Sequence, residues 1–505
     1  MNERISATAE EPLRYESPPR MGVRARAIPP VVWLTAERVT QQTLSLLLFA
    51  ILAPILGPRP YGVFAIVMVF VGFSEFILLE GAAEALVTVH KLDHKHTTTA
   101  NLANSLLAIV LGLVISALAP WIARAMHDSE IRNLIWALAP MPLLSSLSAV
   151  PIAVLRSALK YKELAIRSVL GLTIGGVLGI ILAVAGAGVW ALVLQVLAQR
   201  IAELVIAWIA VPVRFGVKWS APHFRELRPV AVNVFSARMM SFLTGQFPRL
   251  ILGYTLGATE VGLFALGTRF LDTIVHTTVI PRTAVGRIEL RAEKLRSAGF
   301  ERDFAKMVRN TSILAFPICL GTAALLPQLF HLWLNKDWQA GIVPAQLIML
   351  SGAPMVLFYS FDAALLAGNL SSVFRKVANL QGITLAITVL CAAPFGLIVT
   401  CLALTVRSWI LLAVVAIMFR RATHIPEHRA LVPSVRPLIG AAIMAILISL
   451  PFAPATWISG PFAFAGHGIA GALLYFSYLY IFARDELRSL TARIPGLCSL
   501  DRSPQ

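Results

Sequence analysis

Leu106-Leu107-Ala108-Ile109-Val110-Leu111-Gly112-Leu113-Val114-Ile115-Ser116-Ala117-Leu118 decides the solvent in which this chain folds. The stretch is apolar on every side, as is Gly171–Ala185, and neither alternates as a membrane β-strand does. In hydrocarbon the backbone must satisfy its own hydrogen bonds, which leaves helices or a closed barrel. Without period-two alternation the choice is helices. Similar runs recur from Val31 to Phe482, each long enough to cross roughly 30 Å of hydrocarbon. Of 505 residues, 57% are hydrophobic and 14% charged, where a soluble domain carries about 25% charged residues. The chain reads as an all-α polytopic membrane protein.

About fourteen apolar segments can be marked out, and charge fixes their direction. A net charge of +17 in a soluble protein would point to nucleic acid. In a membrane protein, basic residues collect in cytoplasmic loops instead, and no nucleic-acid partner is expected. With the N-terminus inside, the inner segments hold 33 Lys and Arg and the outer loops hold 4, namely Arg59, Arg124, Arg132 and Lys336. Both termini are expected in the cytoplasm of a bacterial cell, with the spans in the inner membrane. The expected layout is a polar tail over 1–30, six spans over 31–212 and a cytoplasmic connection over 213–228. Six more spans follow over 229–419, then a cytoplasmic loop over 420–437, two spans over 438–485 and a tail over 486–505.

Arg38–Ile66 aligns without gaps onto Arg238–Leu266, an offset of 200 residues. The pairs include Arg38/Arg238, Leu56/Leu256, Gly57/Gly257, Gly62/Gly262 and Phe64/Phe264. One glycine ends a helix and the next lets the chain re-enter the membrane tightly. Six spans separate the copies, and an even number gives them the same orientation. The expectation is two six-helix lobes related by a parallel pseudo-twofold repeat, plus two C-terminal helices, with substrate between the lobes.

Three stretches carry a family resemblance. They are Leu56-Gly57-Pro58-Arg59-Pro60-Tyr61-Gly62-Val63-Phe64-Ala65, Ala183–Val193 with Gly186-Ala187-Gly188-Val189-Trp190 at its centre, and Leu252–Gly257 running into Gly262–Ala265. Through these turns the chain resembles the multidrug/oligosaccharidyl-lipid/polysaccharide exporter superfamily, and within it the Wzx-type polysaccharide flippases. The resemblance covers roughly residues 30–485 and departs at Glu80-Gly81-Ala82-Ala83-Glu84, which is more acidic than in relatives. It implies export of an undecaprenyl-pyrophosphate-linked oligosaccharide for O-antigen, capsule or exopolysaccharide assembly. It also implies membrane lipids and other polysaccharide-assembly proteins as partners. A lipid II flippase and a cation or drug antiporter of the same fold stay open as alternatives.

Ionisable groups cost about 2.5–3.5 kcal/mol each at the centre of a spanning helix, so they mark function by default. Arg38, Arg238, Arg249, Arg269 and Arg407 are the candidates for a cationic cavity, because guanidinium forks bind phosphoryl groups bidentately and stay charged. Arg249 and Arg407 have no carboxylate three or four residues away. Arg200/Glu203 and Arg269/Asp272 are spaced for local ion pairs. Glu75, Glu80, Asp272 and Asp362 are the candidates for cation or proton coupling. Eight basic residues from Arg282 to Arg309 read as an amphipathic cytoplasmic helix linking the lobes and lying on anionic headgroups.

Other chemistry is not written in the chain. Cys319, Cys391, Cys401 and Cys498 lack metal-ligand spacing, and those in apolar runs read as core. There is no GxxxxGK[ST] to bind a nucleotide, and no cofactor is expected. A membrane glycosyltransferase would carry catalytic carboxylates on a large outer loop, and every outer loop is short. A transporter is expected, not an enzyme.

Overall fold

A computed structural model describes residues 30–78, 94–211, 239, 242, 244–449 and 461–482. All regular structure among them is helical. The first half comprises α1 (Pro30–Leu56), α2 (Pro58–Leu78), α3 (His94–Ala125), α4 (Glu130–Leu138), α5 (Met141–Ser157), α6 (Tyr161–Val184) and α7 (Val189–Ala210). In the second half α8 (244–255) leads to α9 (Ala258–Ile274), a π-helical turn (Val275–Val279) and α10 (Ile280–Ala292). Then come α11 (Ala298–Trp333), a 3-10 turn (Lys336–Gly341), α12 (Ile342–Leu350), α13 (Gly352–Ala367), α14 (Ser371–Ala392) and α15 (Leu397–Thr423). Last are α16 (Glu427–Ser449) and α17 (Pro461–Phe482).

Among the described residues thirteen helical spans are long and apolar enough to cross a membrane. With α8 in seventh place the order matches the fourteen segments read from the sequence. Outward faces are bare of polar cover: Leu113 is 66% exposed, Ile181 59% and Ile209 79%. In water such a surface would be an association site, whereas hydrocarbon is its natural surrounding.

Gly57 and Gly257 both hold positive φ, +77° and +92°. Each ends its helix by donating its N–H back, to the Ala53 carbonyl at 3.0 Å and the Leu252 carbonyl at 3.1 Å. A side chain is strained in that conformation and glycine is not. Five residues on, Gly62 of α2 and Gly262 of α9 let these helices cross at backbone contact. A Cβ on Gly62 would collide with the Ala258 carbonyl, and one on Gly262 with the Pro58 carbonyl. Ala258 and Pro58 are themselves 200 residues apart. That exchange of partners is the reciprocity a twofold relation requires. The end carrying these turns, expected outside from the charge split, is called the outer end below.

A buried core continues from one half into the other, joining Val63, Ile66 and Val67 of α2 to Leu263, Leu266 and Leu271 of α9. In the second half, Phe304 and Phe361 each lie 4.9 Å from Phe419. α16 lies along α11, and Tyr475 of α17 donates its hydroxyl to the Ile313 carbonyl of α11 at 2.9 Å. The last two helices therefore attach to the second half.

Two expectations change. The basic segment 282–309 is not one amphipathic helix, nor does it link the halves. It is the end of α10 and the start of α11, meeting at a bend over Glu293–Ser297. Ser297 has extended backbone, and its side chain accepts the Phe300 N–H at 3.1 Å. It caps α11, while α10 has already ended at Ala292, where Glu293 turns to extended backbone. Cys319 and Cys401 are core residues as expected, whereas Cys391 is exposed. Cys498, both tails, the 213–228 connection, Glu80 and Arg238 lie outside the described residues.

Candidate functional site

Where the halves meet at membrane depth, Arg269 of α9 reaches across to α1. One Nη donates to the Ser45 hydroxyl, and to the Ser45 carbonyl at 3.3 Å. The local Arg269–Asp272 ion pair does not form, because the guanidinium is turned to the other half. Asp272 instead sits in the field of Arg249, His276 and Arg269. Arg249 of α8 donates to the side-chain oxygen of Gln246 on its own helix at 2.9 Å. Tyr359 of α13 lies in the field of both Asp272 and Asp362. Among the described residues Asp362 has no hydrogen bond or ion pair. Arg38 is exposed on α1, seven residues before Ser45 and so on the same face, about 10 Å nearer the inner end.

The structure thus brings Arg249, Arg269 and Asp272 together, with Asp362 set apart from them on α13. Arg407 is in none of these contacts. Its guanidinium donates to the Gln381 carbonyl and the Thr384 hydroxyl of α14, both at 3.0 Å. The missing carboxylate at helical spacing is made good by the neighbouring helix.

The π-helical turn begins at Val275, three residues after Asp272. Its wide ring inserts a residue into the helix, a feature frequent at functional sites. The hydroxyls of Thr277 and Thr278 donate back to the Thr273 and Ile274 carbonyls, at 2.8 and 2.5 Å. The turn touches α1 of the first half as well as α11 and α13 of its own.

Towards the outer end α1 is held to the second half by a clasp. Pro54 has no N–H, so the Ala50 carbonyl loses its helical partner. The Trp333 indole takes that carbonyl at 2.7 Å. Trp338 donates to the Ala53 carbonyl at 3.0 Å and Asn335 to the Pro54 carbonyl at 3.3 Å. All three donors come from the junction between α11 and the 3-10 turn, in the second half. The ring of Tyr61 fills the gap between Phe49 and Trp338, at 4.9 and 5.9 Å.

A second polar cluster lies within the first half. Arg200 of α7 pairs with Glu203 at 3.1 Å, as its spacing predicts, and with Glu75 of α2 at 3.4 Å. Glu75 also accepts the Ser145 hydroxyl of α5. Glu203 accepts from Gln199 at 2.8 Å and pairs with Arg167 of α6 at 3.5 Å. Next to Arg167, Ser168 donates to Glu37 of α1 at 2.8 Å. Five helices are tied by three carboxylates and two guanidinium groups. Glu75 is thus a buried member of a network, and Arg167 belongs inside the membrane end of α6. Arg167 stands seven residues beyond Lys160 in a basic run, so its sequence surroundings do not single it out. The signal for its partner was Glu203, a carboxylate with two arginines to satisfy.

A family model described as polysaccharide biosynthesis protein matches residues 51–343, more than half of the chain. The chain belongs to this family. The matched segment of this polysaccharide biosynthesis protein contains both glycine turns, the Gly186–Trp190 turn and the Trp333–Trp338 clasp. The succinoglycan biosynthesis transport protein ExoT of Rhizobium meliloti (strain 1021) is 23% identical to it over 436 residues, 83% of this chain and 85% of that protein. In fold it is similar to the lipid II flippase MurJ in an inward closed conformation, with a TM-score of 0.74 at 14% identity over 91% of this chain and 99% of that one. An inward-facing multidrug resistance MATE family transporter of the MOP superfamily gives 0.58 at 14% identity, covering 77% and 98%. The polysaccharide biosynthesis protein is therefore a multi-pass membrane protein that shares this fold.

Proposed function

We propose that the protein carries an undecaprenyl-diphosphate-linked oligosaccharide across the bacterial inner membrane by alternating access, with both termini in the cytoplasm. The carrying observation is the pair Arg249 and Arg269, held at membrane depth where the halves meet, in a member of a polysaccharide biosynthesis family. Fixed guanidinium groups offset the loss of hydration that a diphosphate suffers on entering hydrocarbon. Arg269, Arg249 and Arg38 bind the head group as the cavity is entered from the inner side. Arg238 lies at the repeat position of Arg38 and shares its role. Arg407 acts through the packing of α15 on α14. Asp272, Asp362, Glu75 and Glu80 supply the sites at which a cation or proton drives the cycle. The outer clasp keeps the site closed to the outside in this state.

Proteoliposomes loaded with undecaprenyl-diphosphate oligosaccharide test the reading. The wild type exposes the glycan on the far leaflet, and Arg249→Ala loses most of that activity at equal reconstitution. Lipid II serves as the comparison substrate, and transport of lipid II in preference to the oligosaccharide would move the assignment to that alternative. Movement of small organic cations alone would overturn it in favour of an antiporter.

A further inference from the structure

We infer that the hydroxyl of Tyr61 is a second head-group donor, set one helical turn from Arg269, and that the two together select a diphosphate over a monophosphate. The inference rests on the function proposed above and names a determinant of it.

The two groups come from opposite halves. Tyr61 stands on α2 with its ring against Phe49 of α1 and Trp338 of the second half. Arg269 stands on α9 with one Nη on Ser45 of α1. Ser45 and Phe49 are four residues apart and share one face of α1, a rise of about 6 Å. Phenol and guanidinium therefore hang one turn apart over the same strip of α1. The Tyr61 hydroxyl and the Arg269 Nε are both buried without a hydrogen-bond partner among the described residues.

Both orphaned atoms can donate, the phenol oxygen being able to accept as well, and unmet donors in a buried site are rare because each carries a standing free-energy cost. A bridging water would accept from one or both and then have to place its own two protons. Phe49 and Trp338 offer those protons no acceptor, which leaves the Ser45 hydroxyl oxygen for one of them. A phosphoryl group has acceptor oxygens and no such protons to place. Two phosphoryl groups in series meet both donors, and a single one meets the guanidinium alone. Charge-assisted bonds of this kind are stronger than neutral ones.

Tyr61→Phe removes one oxygen and keeps the ring contacts. Binding of undecaprenyl diphosphate and undecaprenyl monophosphate to the detergent-purified protein is compared for wild type and Tyr61→Phe, with melting temperature as the check on folding. The expected result is about tenfold weaker diphosphate binding in the variant, with monophosphate binding unchanged. Unchanged diphosphate binding, or equal weakening of both lipids, overturns the inference. Wild type that binds neither lipid overturns the proposed function and the inference with it. Fluorine NMR of 3-fluorotyrosine at position 61 gives an independent readout in the unmutated site. Its resonance shifts on adding the diphosphate lipid and stays put with the monophosphate. A resonance that moves with neither counts against a phenol–diphosphate bond.

Discussion

Gly62 and Gly262 face each other across the boundary between the two halves, each against the backbone of the other's helix turn. A Cβ on Gly62 would lie 2.8 Å from the Gly262 nitrogen, and one on Gly262 would lie 3.2 Å from the Gly62 nitrogen. The same two residues are partners in the internal repeat. At this crossing a sequence element meets its own copy, with no side chain between the two glycines.

Gly62→Ala and Gly262→Ala drive a methyl group into the Ala258 and Pro58 carbonyls respectively, and neither backbone can yield locally. Each variant is expected to lose about 1–3 kcal/mol of stability. The check is a lowered melting temperature in detergent. Gly72→Ala serves as the control, since a Cβ there meets nothing within 4 Å.

The clasp of Trp333, Asn335 and Trp338 on α1 contributes three hydrogen bonds between the halves, at about 1 kcal/mol each. Trp333→Phe combined with Asn335→Ala should shift the population towards an outer end that is open. Spin labels at Val184 and Lys336, on outer turns of opposite halves, would then show a longer distance component. An unchanged distance distribution would mean that the glycine crossing and the Trp338 bond to Ala53 suffice to hold this end together.

Arg200 joins Glu75 to Glu203, with side-chain exposures of 8% and 5% for the two carboxylates. Removing the cation leaves both acids buried without it, a change that costs about 3–5 kcal/mol in buried pairs. Arg200→Ala is therefore expected to fold poorly. Adding Glu75→Gln and Glu203→Gln to it should restore much of the melting temperature, because neutral amides no longer need the guanidinium. A triple variant less stable than Arg200→Ala would contradict the network.

Arg407 and Arg249 separate structural from ligand-binding arginines. Arg407→Ala loses two hydrogen bonds to α14, so its melting temperature falls while diphosphate affinity stays near wild type. Arg249→Ala should do the reverse, since its protein partner is Gln246 on its own helix. Lipid binding and melting curves on the two variants decide it. Weakened binding in Arg407→Ala without a loss of stability would return that residue to the cavity.

The membrane class, the spans and the repeat were legible in the sequence because hydrocarbon imposes a local rule. Every residue of a spanning helix must be apolar or excused, and each exception stands out as Arg200, Glu203, Arg269 and Asp272 do. Gly57 and Gly257 were legible for a similar reason, since a positive φ restricts the residue type at that one position. Partner choice was not local. Arg200 and Glu203 paired as their spacing allowed, yet the same spacing failed for Arg269, which turned to Ser45 some 224 positions away in the chain. Arg407 found a carbonyl and a hydroxyl on α14, groups that every helix carries and no motif announces. Pro54 could be read as a helix defect, but only the fold brings Trp333 to the carbonyl it frees. The sequence by itself determined which segments enter the membrane and where they turn, because solvent and backbone act on each residue singly. The tertiary structure decided which charges meet, because a guanidinium at membrane depth bonds to whichever acceptor the packing of the helices sets beside it.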